Sequence, residues 1–408
     1  MTVVISVYKV ANFPEGGGHL WVYMQYAQAL RRLGCDVYWL EQFRPLSDPQ
    51  KEASLLSAFL EKMKRFGLEG KTLMYARQGP GKGRPEPQDC PPRFIGCTWA
   101  EARAVLRRAD LLLNFHYAID PRLLACARRS ALVDIDPGLL QVWMSTGELT
   151  VAAHDCYLTT GETVGTPAAG FPDCGLQWIH IRPPIFLGLW PFTYNPVAES
   201  FTTVSNWLTT DFLKVNENGK TVMRENTKRV SFLQFLDLPR HTQQPLELAL
   251  YLTDRDADDR ARLLDHGWRV RDSREIGASP EAYWAYVQGS RGEFSCAKPS
   301  YVEFQGAWIS DRTLCYLASG KPAIVQDTGP SGYLPNGEGL FRFTTLADAA
   351  GAIEVVNTDY KRHCRAAREI AESYFDGEQI MTQVLNETLR LESPRAHRAP
   401  PHDSAPAA

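Results

Sequence analysis

The segment from Tyr283 to Gly332, YWAYVQGSRGEFSCAKPSYVEFQGAWISDRTLCYLASGKPAIVQDTGPSG, allows few folds. It reads as a helix, a strand, a loop, a second helix, a second strand and a polar turn. Ser310 and Asp311 are good N-cap residues, which puts Arg312 and Thr313 in the first turn of the second helix. Gly320 supplies a left-handed stop, Pro322 forbids continuation, and Ala323-Ile324-Val325 suits a buried parallel strand. In such a β-loop-α-β unit Asp327, Thr328 and Gly329 fall at the carboxyl end of a strand, where open α/β sheets bind ligands. Free amides at a helix start, beside a cation and a hydroxyl, suit a phosphate or diphosphate. The same residues are also ordinary caps and turns, so the remainder of the chain has to decide.

The chain opens with a related unit. Strand Val3–Val7 is followed by a turn ending in Gly16-Gly17-Gly18-His19, then by an amphipathic helix through Leu20, Tyr23, Met24, Ala27 and Leu30, and by strand Val37–Glu41. A β-α-β unit with Glu41 on its second strand raises a nicotinamide-dinucleotide reading. Its spacing argues the other way, because eight residues separate Val7 from the first glycine where the fingerprint needs a tight turn. What the glycines do provide is bare backbone beside His19, an imidazole able to take a proton near neutral pH.

Further strands are expected at 110–116, 131–136 and 157–162, with helices over 51–66 and 100–108 and a Gly/Pro-rich flexible loop at 78–93. Asp120-Pro121 and Asp136-Pro137 both have the form of an N-cap followed by proline at the first helical position. Asn114, His116, Asp136 and Glu162 stand at strand ends on the same sheet edge as His19, which predicts a polar cleft. The proline-dense run around 181–196 reads as a linker. Beyond it the α/β pattern restarts, with strands at 201–206, 246–251 and 268–270 and helices at 225–236, 281–288, 345–357, 358–375 and 378–391.

At 408 residues the chain has room for two domains, each with its own core. A net charge of −3 disfavours nucleic acid as a partner. No apolar run is long enough to span a bilayer, and Met1–Val7 lacks the basic start of a signal peptide. The nine cysteines are odd in number and hold no C-x-x-C pair, which fits reduced thiols and a cytoplasmic location.

Together these features resemble the type-B glycosyltransferase fold: two doubly wound parallel-sheet, Rossmann-like domains facing a central cleft. The stretch GGGHLWVYMQYAQALRRLG is similar to the first loop and helix of such enzymes, and ISDRTLCYLASGKPAIVQDTG to their nucleotide-sugar helix. The resemblance implies an acceptor-binding domain over 1–188 and a nucleotide-sugar-binding domain over 189–392, with the last helix free to pack back on the first; the tail from 393 to 408 is polar and proline-rich, which predicts disorder.

It also implies a glycosyltransferase moving a sugar from a nucleoside-diphosphate donor to a small-molecule or glycan acceptor, with no cofactor and no metal. By the same resemblance His19 matches the catalytic base of inverting members, and Gly17 and Gly18 the loop near the acceptor and diphosphate; Asn114, His116 and Asp136, at their strand ends, complete the expected acceptor-side cleft. Ser310, Asp311, Arg312 and Thr313 match the diphosphate-binding helix start, and Asp327, Thr328 and Gly329 the region facing the donor sugar. Arg291 and Lys298 flank the strand before the donor loop as cations for the diphosphate, ahead of Lys228 and Arg229. Trp308 is a candidate for stacking on the nucleobase, and Trp21, Tyr23 and Trp143 for an aromatic acceptor pocket.

Two departures from the family pattern stand out. Cys315 occupies the position five residues before the glycine of G-x-P where many members carry a ribose-binding glutamate. Glu303 and Asp311 mimic the E-x7-E pair of retaining members, but out of register with Gly320. The rival readings are an NAD(P)-dependent oxidoreductase and a sugar-nucleotide-binding protein without catalysis.

Overall fold

The computed structural model of the chain describes residues 1–14, 16–76, 92–207, 212–217 and 220–390. All but the last two residues of the 78–93 loop, and the whole tail from 393, lie outside these.

Two sheets organise the molecule. The first runs Arg93–Ile95, Thr72–Ala76, Asp36–Phe43, Thr2–Val7, Leu111–Asn114, Ser130–Asp134, Cys156–Thr159 and Trp178–His180. Only its outermost pair, Thr72–Ala76 with Arg93–Ile95, is antiparallel. The second runs Arg269–Asp272, Leu246–Tyr251, Phe201–Asn206, Gly292–Ser295, Ala323–Gln326 and Leu340–Phe343, parallel throughout.

Helices cover both faces of each sheet, so the inner strands are apolar without alternation. Val3, Val4 and Ile5 are fully buried, as are Leu111, Leu112 and Leu113. In each sheet the order reverses beside its first strand, at Thr2–Val7 and at Phe201–Asn206. Ligand crevices open at such switch points, beyond the carboxyl ends of the strands. Here the two crevices face each other.

The domains are joined by apolar contact as well as by the chain. Trp190, from the proline-dense linker, is completely buried. It packs edge-on against Trp21 of the first helix, Gly17–Arg32, at 5.0 Å, and against Tyr283 of helix Pro280–Gly289 at 6.5 Å. The last helix, Gly377–Arg390, returns to the first domain, where the Gly377 amide donates to the Ile185 carbonyl at 2.9 Å and Glu378 meets Arg32 at 3.7 Å.

Helix Asp311–Ala318 ends as its sequence requires. Gly320 sits at φ +71°, the Lys321 amide bonds to the Tyr316 carbonyl and the Gly320 amide to that of Leu317. This is a Schellman stop that a β-carbon would strain.

Two expected elements differ. Residues 225–236 are not one helix. Phe212–Glu217 and Lys220–Glu225 form an antiparallel hairpin, and only Lys228–Gln234 is helical. Asp136 does not cap a helix, because the following helix is Leu139–Ser145, entered through Gly138 at φ +86°. The eight cysteines among the described residues are free thiols. No helix among these residues is long and apolar enough to cross a membrane.

Candidate functional site

Where the two crevices meet lie two cavities. One, of about 590 Å³, is bounded chiefly by the first domain, and the other, of about 330 Å³, by the second. His19, Val22, Asp136, Trp308 and Asp311 line both, so these five residues form the passage between them.

His19 reaches the passage because the glycines before it bring the helix start close to the other domain. At Gly18 an added β-carbon would lie 2.9 Å from the Tyr283 ring, closer than packed atoms tolerate. The His19 ring meets the Tyr8 carbonyl through Nε2 at 2.6 Å. A carbonyl only accepts, so Nε2 carries the proton and Nδ1 is the basic nitrogen. Tyr23 packs edge-on against the ring at 5.3 Å. Burial lowers the imidazole pKa, against the raising effects of the Tyr8 carbonyl and Asp136, so the ring is neutral near pH 7.

Asp136 is held by two hydroxyls, from Tyr301 of the second domain at 2.8 Å and from Tyr117 of the first at 3.2 Å. Beneath it Asp134 accepts from Gln141 Nε2 at 2.8 Å, from the Thr159 hydroxyl at 2.9 Å and from the Asp136 amide at 3.0 Å. Burial pushes the Asp134 carboxyl up to about 7.

The smaller cavity is the cationic one. Helix Asp311–Ala318 begins at its wall, where the Ser310 hydroxyl accepts from the Arg312 amide at 3.3 Å, and Lys228, Lys298 and Arg312 border it. Desolvation, with Arg312 adding to it, pulls Lys228 down to about 7. Burial raises the Asp311 carboxyl, with Arg312 and Lys228 acting the other way. A low-dielectric space with the incompletely charged Lys228 at a helix start favours an arriving anion.

Several expected site residues stand elsewhere or are otherwise engaged. Arg291 precedes strand Gly292–Ser295 and so lies at its amino end, away from the crevice. There it donates to Asn357 at 2.8 Å and covers the Tyr360 ring at 4.1 Å. Arg312 borders the cavity, yet its guanidinium is spent inward, on buried Glu293 at 2.7 Å, on the Val204 carbonyl at 3.0 Å and on Ser295. Asn114 is fully buried and closes its own turn, bonding the His116 amide and carbonyl and His154.

Asp327, Thr328 and Gly329 line neither large cavity. The Asp327 carboxylate accepts from the Gly329 amide at 2.7 Å, the Thr328 hydroxyl donates to the Trp308 carbonyl at 2.5 Å, and Arg342 holds the Gly329 carbonyl. They brace the loop that presents Trp308. Thr313 is buried, and with Thr328 it lines a separate cavity of about 20 Å³.

His116 and Asp136 line the larger cavity, and Gly18, Ser310, Asp311 and Lys298 the smaller, while Gly17 opens the first helix. Trp308 has one face covered by Tyr301, stacked at 4.1 Å and 5°. Of the aromatic candidates Tyr23 and Trp143 line the larger cavity, and Trp21 belongs to the interdomain core. Glu303 meets Arg224 at 3.8 Å, outside both cavities. Glu41, the acid on which a dinucleotide reading would depend, is fully buried and bound by the Ala11 amide at 2.6 Å and Trp39 Nε1 at 2.9 Å. Lys228, at the start of helix Lys228–Gln234 that follows the hairpin, borders the smaller cavity with Lys298, where Arg291 does not.

Comparison of the whole chain with solved structures decides the architecture. A structure of Anabaena Alr3699/HepE in complex with UDP-glucose superposes with a TM-score of 0.59 at 13% identity, over 96% of this chain and 100% of the other. The chain has the type-B glycosyltransferase fold. An alpha-glucosyltransferase in complex with UDP and a 13-mer DNA shares the fold with a TM-score of 0.58 at 10% identity, over 95% and 99% of the two chains. So does sucrose-phosphate synthase from Thermosynechococcus elongatus, with a TM-score of 0.51 at 13% identity, over 95% and 98%. No protein-family profile and no curated protein sequence matches the chain.

Proposed function

We propose that the protein is a glycosyltransferase that takes a nucleoside-diphosphate sugar in the smaller cavity and passes the sugar to an acceptor hydroxyl in the larger one. The observation that carries this reading is the meeting of an anion-receptive cavity and a second, roomier cavity at one neutral histidine. UDP or a UDP-sugar bound to proteins of the same fold supports the donor class.

In this reading Nδ1 of His19 accepts the proton of the acceptor hydroxyl as its oxygen attacks the anomeric carbon. The bond to the diphosphate oxygen breaks, and the departing charge is held by the amides at the start of Asp311–Ala318 with Lys228 and Lys298. Attack from the side opposite the diphosphate inverts the anomeric centre. With lysines supplying the charge, transfer proceeds in EDTA. A small-molecule acceptor fits a cavity of about 590 Å³, and a net charge of −3 fits a non-polyanionic partner.

The test pairs nucleotide binding with turnover. His19→Ala should lower the transfer rate about a hundred- to ten-thousand-fold with UDP affinity unchanged, the range of a lost general base. Normal turnover in that variant would remove His19 from the chemistry. Because one neighbour is an alpha-glucosyltransferase, retention is the second reading, and anomeric NMR of the product from an α-linked donor separates the two. Absence of UDP binding, with NADP binding in its place, would overturn the proposal.

A further inference from the structure

Resting on that reading, we infer which sugars the donor carries: the transferred ring is uncharged, and Asp136 and Asp311 are the residues that reject a uronic acid. The place of the ring follows from the two cavities. Its anomeric carbon must lie between the diphosphate departing in the smaller cavity and the nucleophile beside His19, so the ring fills the passage. Five residues line that passage, and none of them is a lysine or an arginine. Asp327, Thr328 and Gly329, which the sequence put forward for the sugar, line neither large cavity, so its recognition falls to the passage.

The two carboxylates reach the passage from opposite domains. Asp136 follows strand Ser130–Asp134, and Asp311 opens helix Asp311–Ala318. Each Asp136 oxygen already accepts one hydroxyl, Oδ1 from Tyr301 at 2.8 Å and Oδ2 from Tyr117 at 3.2 Å. This fixes the group and leaves each oxygen a further lone pair. The Asp311 carboxylate has its own backbone amide as partner and no side-chain donor among the described residues. Both groups can therefore accept from sugar hydroxyls in charge-assisted hydrogen bonds.

A carboxylate on the ring reverses the sign. It would meet two like charges, and the cations that could offset it stand elsewhere. Lys228, Lys298 and Arg312 border only the smaller cavity, where the diphosphate engages the lysines and Glu293 holds Arg312. No lysine or arginine among the described residues lines the larger cavity, and its further acid, Glu148, is tied to Lys214 at 3.3 Å. Lys9 lies over the Tyr8 ring at 5.0 Å and borders neither cavity. Like charges placed opposite each other reject a ligand that is otherwise complementary.

UDP-glucose, UDP-xylose and UDP-glucuronate differ only in the substituent on C5 of the sugar, which is hydroxymethyl, hydrogen or carboxylate. In calorimetric titrations of the whole chain, UDP-glucose and UDP-xylose should bind with similar affinity. UDP-glucuronate should bind about 10- to 100-fold more weakly than both, despite its greater negative charge. Asp311→Asn and Asp136→Asn keep the shape of each group and remove its charge. Each should narrow the ratio of UDP-glucose to UDP-glucuronate affinity about 3- to 10-fold, and a ratio cancels any general effect on nucleotide binding. The comparison in the parent protein needs no variant, so the test survives if a variant fails to fold.

UDP-glucuronate bound as tightly as UDP-glucose, or a ratio unchanged in either variant, would overturn the inference and leave the transfer reading standing. Absence of UDP binding, with NADP bound in its place, would overturn both.

Discussion

In the proposed function Lys228 makes the donor site titrate. Its ammonium is held down to about 7, so at pH 7 about half of the free protein carries it neutral, and at pH 8 about nine-tenths. A diphosphate beside it restores an ordinary lysine pKa near 10.4, so binding takes up about 0.5 proton at pH 7 and about 0.9 at pH 8. By linkage, affinity falls as the pH rises above 7, by about 16-fold between pH 7 and 8.5, a range in which UDP, with its last pKa near 6, is already ionised.

Calorimetric titration with UDP in buffers of different ionisation enthalpy measures the uptake directly. Lys228→Met should bind UDP about 10- to 100-fold more weakly, the loss of a charge-assisted hydrogen bond, and should abolish most of the uptake and flatten the pH dependence. Uptake near zero at pH 8, or the same uptake in Lys228→Met, would refute the assignment of Lys228 to the diphosphate.

Arg312 and Glu293 form a buried pair, so Arg312→Met should cost about 3–5 kcal/mol in denaturant unfolding by stranding the glutamate, and Glu293→Gln beside it should recover much of that loss. A purely ligand-binding Arg312 would leave stability unchanged. Glu41 has its pKa raised from 4.5 to about 7 by burial, so its contribution is fully present below pH 4.5 and is lost as the pH rises through 7. Glu41→Gln should therefore gain about 3 kcal/mol on the parent between pH 4.5 and 8 in chemical denaturation. Because burial lowers the His19 pKa, the acidic limb of the transfer rate should fall below pH 6.5, and a limb above that value would mean that His19 is not the titrating base.

How far the site could be read in advance follows from geometry. The apolar strands, the glycine stop at Gly320 and the capped start at Ser310 are local signals, so the doubly wound architecture was legible. Register across a sheet is not local. Arg291 and Lys298 both flank one strand, but they stand beyond opposite ends of it, and only Lys298, after the carboxyl end, reaches the crevice. Lys228 depends on the hairpin before it, whose sequence carries an Asn218-Gly219 turn signal between alternating strands. Asp327 and Asn114 occupy the expected strand ends, and what removes them from the cavities is the bonding of their own loops.

The Tyr301 bond to Asp136 and the hold of Glu162 on Ser331 and the Gly332 amide both cross from one domain to the other at the cleft. Trp308, Ile309 and Asp311, carried by the second domain, close a chamber otherwise walled by the first. Neither substrate thus meets a finished receptacle on a single lobe. On the proposed function, thermodynamic reciprocity requires that the factor by which the nucleotide changes acceptor affinity equals the factor by which the acceptor changes nucleotide affinity.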